Sequence, residues 1–121
     1  MASRLSNKEI EDLAVTRIMK KFRIATDERS EKNGYDMRIG NKIIEVKGTA
    51  SSKTPMQRLC LSSKKEKDNI KKKNYWIYRV VNVGKKDCRL IKIPGSDITL
   101  KHEARWRIRV NHPKRYKVQR I

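Results

Sequence analysis

Gly34-Tyr35-Asp36-Met37-Arg38-Ile39-Gly40-Asn41-Lys42-Ile43-Ile44-Glu45-Val46-Lys47-Gly48 carries two carboxylates and a lysine on what reads as a tight β-hairpin. Gly40-Asn41 is a strong two-residue turn signal, with Gly at the first turn position as a type II′ turn requires. If these two residues form the turn, Ile39 pairs with Lys42, Arg38 with Ile43, and Asp36 directly with Glu45. Side chains alternate across a strand, so Glu45 and Lys47 share a face and Asp36 lies opposite Glu45 on it. Met37, Ile39, Ile44 and Val46 then line the other face, which is apolar and suits a core. Like charges directly opposed across a hairpin are destabilising. A divalent metal, together with Lys47, would relieve that repulsion. The plainer reading is a solvated polar face in which Lys47 alone neutralises the carboxylates.

An Asp followed across a hairpin by Glu-X-Lys resembles the signature of the PD-(D/E)XK nuclease superfamily, the restriction-endonuclease-like fold. Within it, the Gly34-Tyr35-Asp36 start and the Ile44-Glu45-Val46-Lys47-Gly48-Thr49 end look most like endonuclease-like domains related to the plant NO VEIN C-terminal domain. Archaeal Holliday-junction resolvases and Mrr-type restriction enzymes are more distant comparisons. Tyr35 stands where the superfamily carries a Pro, a position that varies widely. The resemblance covers roughly residues 6–93 and implies an α/β fold with a restriction-endonuclease-like core, a mixed central β-sheet flanked by helices. It also implies cleavage of a DNA backbone leaving a 5′-phosphate.

Upstream, Ser6-Asn7-Lys8-Glu9 is a capping-box pattern. The helix it opens is expected to bury Ile10, Leu13, Ala14, Val15, Ile18, Met19 and Phe22. At about 100° per residue, Glu11 falls roughly 15° from the centre of that apolar face, whereas Glu9 points the opposite way. A carboxylate in a buried stripe needs a partner. A nearby Lys or Arg is one candidate; the hairpin site is the other. Nucleases of the superfamily often carry an acid on the first helix, and Ile10-Glu11-Asp12-Leu13-Ala14 resembles that context, which implies that Glu11 joins the site.

The balance of 32 Lys+Arg against 13 Asp+Glu gives a net charge of +19 on 121 residues. Such a surplus suits a nucleic-acid partner, with steeply salt-dependent affinity, although it also serves solubility. A membrane surface is disfavoured because no long apolar run or clean basic amphipathic helix occurs. The length suits a single domain over 1–121, with a core about 6–93 and a basic C-terminal extension 94–121. Cys60 and Cys88, even with His102 and His112, match no zinc spacing and are too few for a disulfide framework. Met1-Ala2-Ser3-Arg4 leads into a polar segment rather than a signal peptide, so a cytoplasmic location is expected.

Further strands are expected at Phe22–Thr26, Gln57–Leu61, Tyr75–Val83 and Cys88–Ile93, with a solvent-exposed, lysine-rich helix over Lys64–Lys73 capped by Ser62 or Ser63. The polar loop Thr49–Pro55 lies just past Lys47. Arg105-Trp106-Arg107-Ile108-Arg109-Val110 alternates strictly, placing Arg105, Arg107 and Arg109 on one face. These arginines suit successive phosphates or exposed bases, or else mark an edge strand protected against edge-to-edge pairing. Gln57, Arg58 and Lys53 near the loop, and Lys114 and Arg115 in the terminal basic run Pro113–Lys117, are further candidate nucleic-acid contacts. That run is expected to stay mobile until it meets an anionic partner. Gln57 either orients substrate or simply starts a strand.

The mechanism these residues suggest is metal-assisted phosphodiester hydrolysis. Asp36, Glu45, the Val46 carbonyl and Glu11 are the candidate ligands of Mg²⁺ or Mn²⁺, ions that favour hard oxygen donors. Lys47 would position or deprotonate the water and neutralise developing charge. So small a domain is expected to cut by structure or with weak sequence preference, with a homodimer one route to specificity through the Tyr75–Val83 or Arg105–Val110 regions. The alternatives are a DNA-binding module that keeps the fold without turnover, and a basic RNA-associated protein.

Overall fold

The capping box folds as its residues dictate. Ser6 is the N-cap of helix α1 (Asn7–Lys21): its hydroxyl accepts from the Glu9 N–H at 3.1 Å, and the Glu9 carboxylate accepts from the Ser6 N–H at 3.0 Å. The exchange satisfies two donors that the first turn leaves without intrahelical partners. Ser6→Ala is expected to cost about 1 kcal/mol, read as a drop of a few degrees in the thermal midpoint. Ala14, Val15 and Ile18 are buried, while Ile10, Met19 and Phe22 pack at the margin of the same core. Leu13, expected inside, is 38% exposed. The helix seats on the sheet along Ile10, Ala14 and Ile18, one turn apart, which leaves Leu13 at the rim beside the Gly84 turn. Phe22 is the C-cap, its N–H donating to the Ile18 carbonyl at 2.8 Å, so the strand expected from Phe22 starts only at Ala25.

The computed structural model describes residues 5–53, 55–56, 59–61, 64–102 and 106–121. Strands β1 (Ala25–Asp27), β2 (Met37–Ile39), β3 (Lys42–Gly48), β5 (Tyr75–Val81), β6 (Arg89–Pro94) and β9 (Gln119–Arg120) form one curled mixed sheet in the order β1-β2-β3-β5-β6-β9. β3 and β5 run parallel and the other neighbours antiparallel. A parallel pair needs a crossover. Here the crossover carries β4 (Cys60–Leu61) and the short helix α2 (Lys64–Asn69). A second sheet, β4-β8-β7, joins β4 to β7 (Ile98–His102) and β8 (Trp106–Val110). The chain is therefore a mixed α/β fold with two helices among the described residues.

Both faces of the central strands are covered. Met37, Ile44, Val46, Tyr78, Val80 and Leu90 pack under α1; Ile43, Tyr75, Ile77, Ile91 and Ile93 pack against Leu59, Leu61, Ile108 and Val110 of the second layer. A strand buried on both sides reads as a continuous apolar run, which accounts for Tyr75–Val81. Three expectations change accordingly. Cys60–Leu61 is not a strand of the central sheet, because it pairs with β8. β8 is not an edge strand but the middle of its sheet. Tyr75–Val81, hydrogen-bonded on both edges, offers no dimer surface. Nor is Pro113–Lys117 a free tail: it forms a 3₁₀ turn, and the Tyr116 hydroxyl donates to the buried Asp97 at 2.5 Å. Cys88 is buried and Cys60 half-buried, both as free thiols. No described helix is long and apolar enough to cross a membrane.

Candidate functional site

The hairpin takes the expected register, with Ile39 opposite Lys42, Arg38 opposite Ile43 and Met37 opposite Ile44. Gly40 has φ +60° while Asn41 stays at negative φ, the combination of a type II′ turn. β2 then stops one residue before the position opposite Glu45, and the Asp36 side chain takes over from backbone pairing. The Asp36 N–H donates to the Ile44 carbonyl at 2.9 Å, and the Val46 N–H donates to Asp36 Oδ2 at 2.7 Å. N–H and C=O of one strand residue point the same way, so the Val46 carbonyl faces the gap that β2 leaves open. α1 covers this gap. A Cβ on Gly48 would stand 2.9 Å from Ile10 Cγ2 and 3.3 Å from Ala14 Cβ, so the absent side chain lets the helix approach β3. That approach brings Glu11 to the wall of the cavity that Asp36 also lines, where the Asp36 charge acts on it.

Asp36 thus acts electrostatically on both Glu11 and Glu45. Burial first, and the Asp36 charge second, push the Glu45 carboxyl well above the usual carboxylate range; Lys47 works against the shift. Glu11 is raised for the same two reasons, with Arg29 opposing. Of the partners considered for Glu11, the basic one is Arg29, whose Nη1 lies 4.0 Å away, while the Asp36 carboxylate of the hairpin acts on it with the opposite sign of charge. Arg29 is engaged more closely elsewhere, at 2.6 Å with Asp12 and 2.7 Å with Asp27. Lys47 Nζ sits between two glutamates, 3.7 Å from Glu45 Oε1 and 3.7 Å from Glu66 Oε1.

Residues 8–93 match the family described as Protein NO VEIN, C-terminal, which is most of the chain. The chain belongs to that family. No curated protein and no solved structure is significantly similar to it. In this NO VEIN C-terminal domain the matched span runs from α1 through β6 and takes in Glu11, Asp36, Glu45, Lys47 and Glu66, leaving β7, β8 and β9 outside.

The second sheet of the NO VEIN C-terminal domain and the carboxylates line one half-open cavity of about 1390 Å³. Arg107 and Arg109 of β8 line it, as does Lys101 of β7. Lys53, Lys114 and Arg115 are exposed and are not among its lining residues. Gln57, Arg58 and Arg105 lie outside the described residues. Sequence reasoning missed four participants. Glu66 comes from α2, a helix expected to face solvent. Arg79 stands opposite Lys47 on β5 and is buried, with Nε donating to the Pro55 carbonyl at 2.7 Å and Nη1 to the Lys47 carbonyl at 3.3 Å. Burial lowers its pKa to about 10. Tyr75 presents a buried hydroxyl with no hydrogen-bond partner among the described residues, its pKa raised by burial and then by Glu45 and Glu66. Lys101 is the fourth. Glu66 had a signal: with Asn69 and Ile70 it occupies i, i+3 and i+4, the buried side of its helix.

The donor set suits a hard divalent cation. Two carboxylates and a backbone carbonyl converge on one gap, and the buried Glu45 lacks enough positive charge to sit at an ordinary pKa. Among the described residues, no three His, Cys, Asp or Glu side chains already stand in a metal-caging arrangement. Mg²⁺ does not need one, because it is usually bound by one or two carboxylates with waters and phosphate oxygens completing the shell.

Proposed function

We propose that this domain is a metal-dependent DNA endonuclease with a restriction-endonuclease-like core of the PD-(D/E)XK type. The observation that carries the reading is the convergence of Asp36, Glu45 and Lys47 at the open edge of β3, with Glu11 delivered by α1, beneath a cationic β7–β8 hairpin. A merely solvated acidic face would not bury Glu45 to 5% exposure or draw a helix carboxylate toward it.

Asp36, Glu45 and the Val46 carbonyl are the groups that would hold Mg²⁺ or Mn²⁺, with Glu11 adjusting the charge on Asp36. The bound ion would supply an acidified water and neutralise charge on the phosphate. Lys47 stands where its ammonium can orient that water or meet the charge developing on the phosphate, and Glu66 fixes its direction. Arg79 pins the Lys47 carbonyl and the loop that follows, keeping β3 straight into the site. Arg107, Arg109 and Lys101, which line the cavity, would hold the DNA backbone by charge rather than by sequence.

Wild type and Lys47→Ala, incubated with labelled linear, flapped and four-way-junction DNA in Mg²⁺, in Mn²⁺ and in EDTA, test the reading. Cleavage should require metal and fall about 10³-fold or more in the variant, with binding retained. Lys47→Ala also leaves Glu45 and Glu66 without their shared cation, so folded fractions are matched by melting curves first. Binding without metal-dependent cleavage by the wild type would leave a nucleic-acid-binding module instead.

A further inference from the structure

A second, smaller groove of about 310 Å³ opens on the other side of the carboxylates. The residues common to its wall and to that of the large cavity are Asp36, Glu45 and Glu66, all three carboxylates. Lys47 and Arg79 line the large cavity close to these carboxylates, as do Lys101, Arg107 and Arg109 from the second sheet, whereas Arg29, Lys32 and Lys65 line only the small groove. The shared carboxylate wall therefore has cations on both of its sides. A small anion would need one cationic end. A polynucleotide chain needs this arrangement, since its central phosphate meets the acidic, metal-binding wall and its flanking phosphates meet cations on both sides.

The small groove is also built rather than accidental. Lys32 adopts φ +55°, a left-handed conformation uncommon outside glycine. It is the C-cap of the 3₁₀ turn Arg29–Glu31, and α2 docks on the segment that follows: Lys65 Nζ donates to the Lys32 carbonyl at 3.0 Å, and Asn69 Nδ2 donates to the Asn33 carbonyl at 2.9 Å. The two lysines are tied at the groove mouth, and one backbone acceptor leaves the Lys65 ammonium two further N–H donors. Arg29 is already engaged by Asp12 and Asp27, so Lys32 and Lys65 are the groups offered to a ligand. A groove of about 310 Å³ holds the volume of roughly ten waters, which suits a nucleotide and not a duplex.

We infer that the small groove binds the nucleic-acid strand on the far side of the cleaved bond, with Lys32 and Lys65 on its phosphates. The inference rests on the nuclease reading above. It makes the reaction internal: a strand must continue more than one nucleotide past the carboxylates, so that a further phosphate reaches this groove, as well as back under β7–β8.

The test uses the full chain carrying Lys32→Gln and Lys65→Gln together, which keeps both aliphatic stems. A control carries Lys20→Gln and Lys21→Gln, which remove the same charge from the last turn of α1, away from both cavities. The groove variant is expected to lose about 10–100-fold in kcat/KM on the best-cut DNA, mainly through KM. Its log K against log salt slope for single-stranded DNA should shrink by about 1.4, two phosphates at about 0.7 each. Oligonucleotides that stop one nucleotide past the cut bond on the groove side, and so carry no further phosphodiester there, should be poor substrates for the wild type and equally poor for the variant. If the wild type cuts and the groove variant matches the control in KM and salt slope, the inference is overturned while the nuclease stands. If the wild type binds without cutting and the slope still depends on Lys32 and Lys65, the groove stands and the nuclease reading falls. No DNA binding at any salt overturns both.

Discussion

Glu45→Gln is expected to abolish metal-dependent cleavage, by about 10³-fold or more, while making the domain more stable at neutral pH. The two effects share a cause. Glu45 is buried beside Asp36, and its folded pKa is raised well above the unfolded value near 4.5. The unfolded chain therefore releases this proton at lower pH than the folded domain does. Between the two values the folded state binds more protons, so stability falls as pH rises through that window. At neutral pH the wild type bears the cost of a buried carboxylate, and the amide removes it. Lys47 is not orphaned by the change, because Glu66 also lies 3.7 Å from its ammonium. The gain should be about 1–2 kcal/mol, a rise of several degrees in the thermal midpoint at pH 7–8. It should vanish below pH 4.5, where both proteins carry a neutral side chain. Millimolar Mg²⁺ should raise the midpoint of the wild type and not of the variant. Differential scanning calorimetry across pH, with and without metal, reads all of this; a Glu45→Gln protein less stable than wild type at pH 8 would show that the carboxylate is a structural partner instead.

Gly34→Ala is expected to be the most damaging exchange of a single methyl group in the chain. Gly34 holds φ +80°, and a Cβ there would stand 2.6 Å from Lys65 Cβ, 2.9 Å from Asn69 Nδ2 and 3.0 Å from the Lys65 backbone carbon. The Asn69 amide ends a side chain and can turn away, but Lys65 Cβ and its backbone carbon are fixed to the helix, so α2 must shift. Strain plus overpacking comes to about 2–4 kcal/mol, roughly a ten-degree loss in midpoint. A displaced α2 also draws Glu66 away from Lys47, so cleavage should fall even at temperatures where the variant remains folded. Gly40→Ala is the comparison. Gly40 also has positive φ, but nothing lies within 4 Å of its absent Cβ, so only the conformational cost of about 1 kcal/mol applies. Equal destabilisation by the two variants would mean that α2 docking on Gly34 contributes nothing.

The local half of this architecture was legible in the sequence. Gly40-Asn41 sets the hairpin, its register places Asp36 beside Glu45, and Ser6 with Glu9 opens the helix that delivers Glu11. Each of these rests on neighbours within a turn or a hairpin. The second layer was not legible, because it pairs Cys60–Leu61 with Trp106–Val110 across some forty residues, and no local pattern names a partner at that range. Arg107 and Arg109 were recognised as a cationic face, yet their position over the carboxylates depends on that pairing. Glu66 was passed over because the lysines around it made the whole helix look solvated. Tyr35, the departure from the superfamily's Pro, has a local role: its buried ring carries a hydroxyl that donates to Glu28 and accepts from Arg38.

The burial of β3 on both faces bears on how reliably the chain finds its fold. In a strand with one wet face, a slip of one residue turns apolar side chains to water. In β3 the neighbours Ile43, Ile44 and Val46 would tolerate such a slip, since apolar walls wait on both sides. Glu45 and Lys47 would not, because the slip would drive both charges under α1 among Ala14, Ile18 and Met37. The carboxylate that burdens the finished domain thus acts during folding as a proofreading mark, rejecting a hairpin closed one residue out of step.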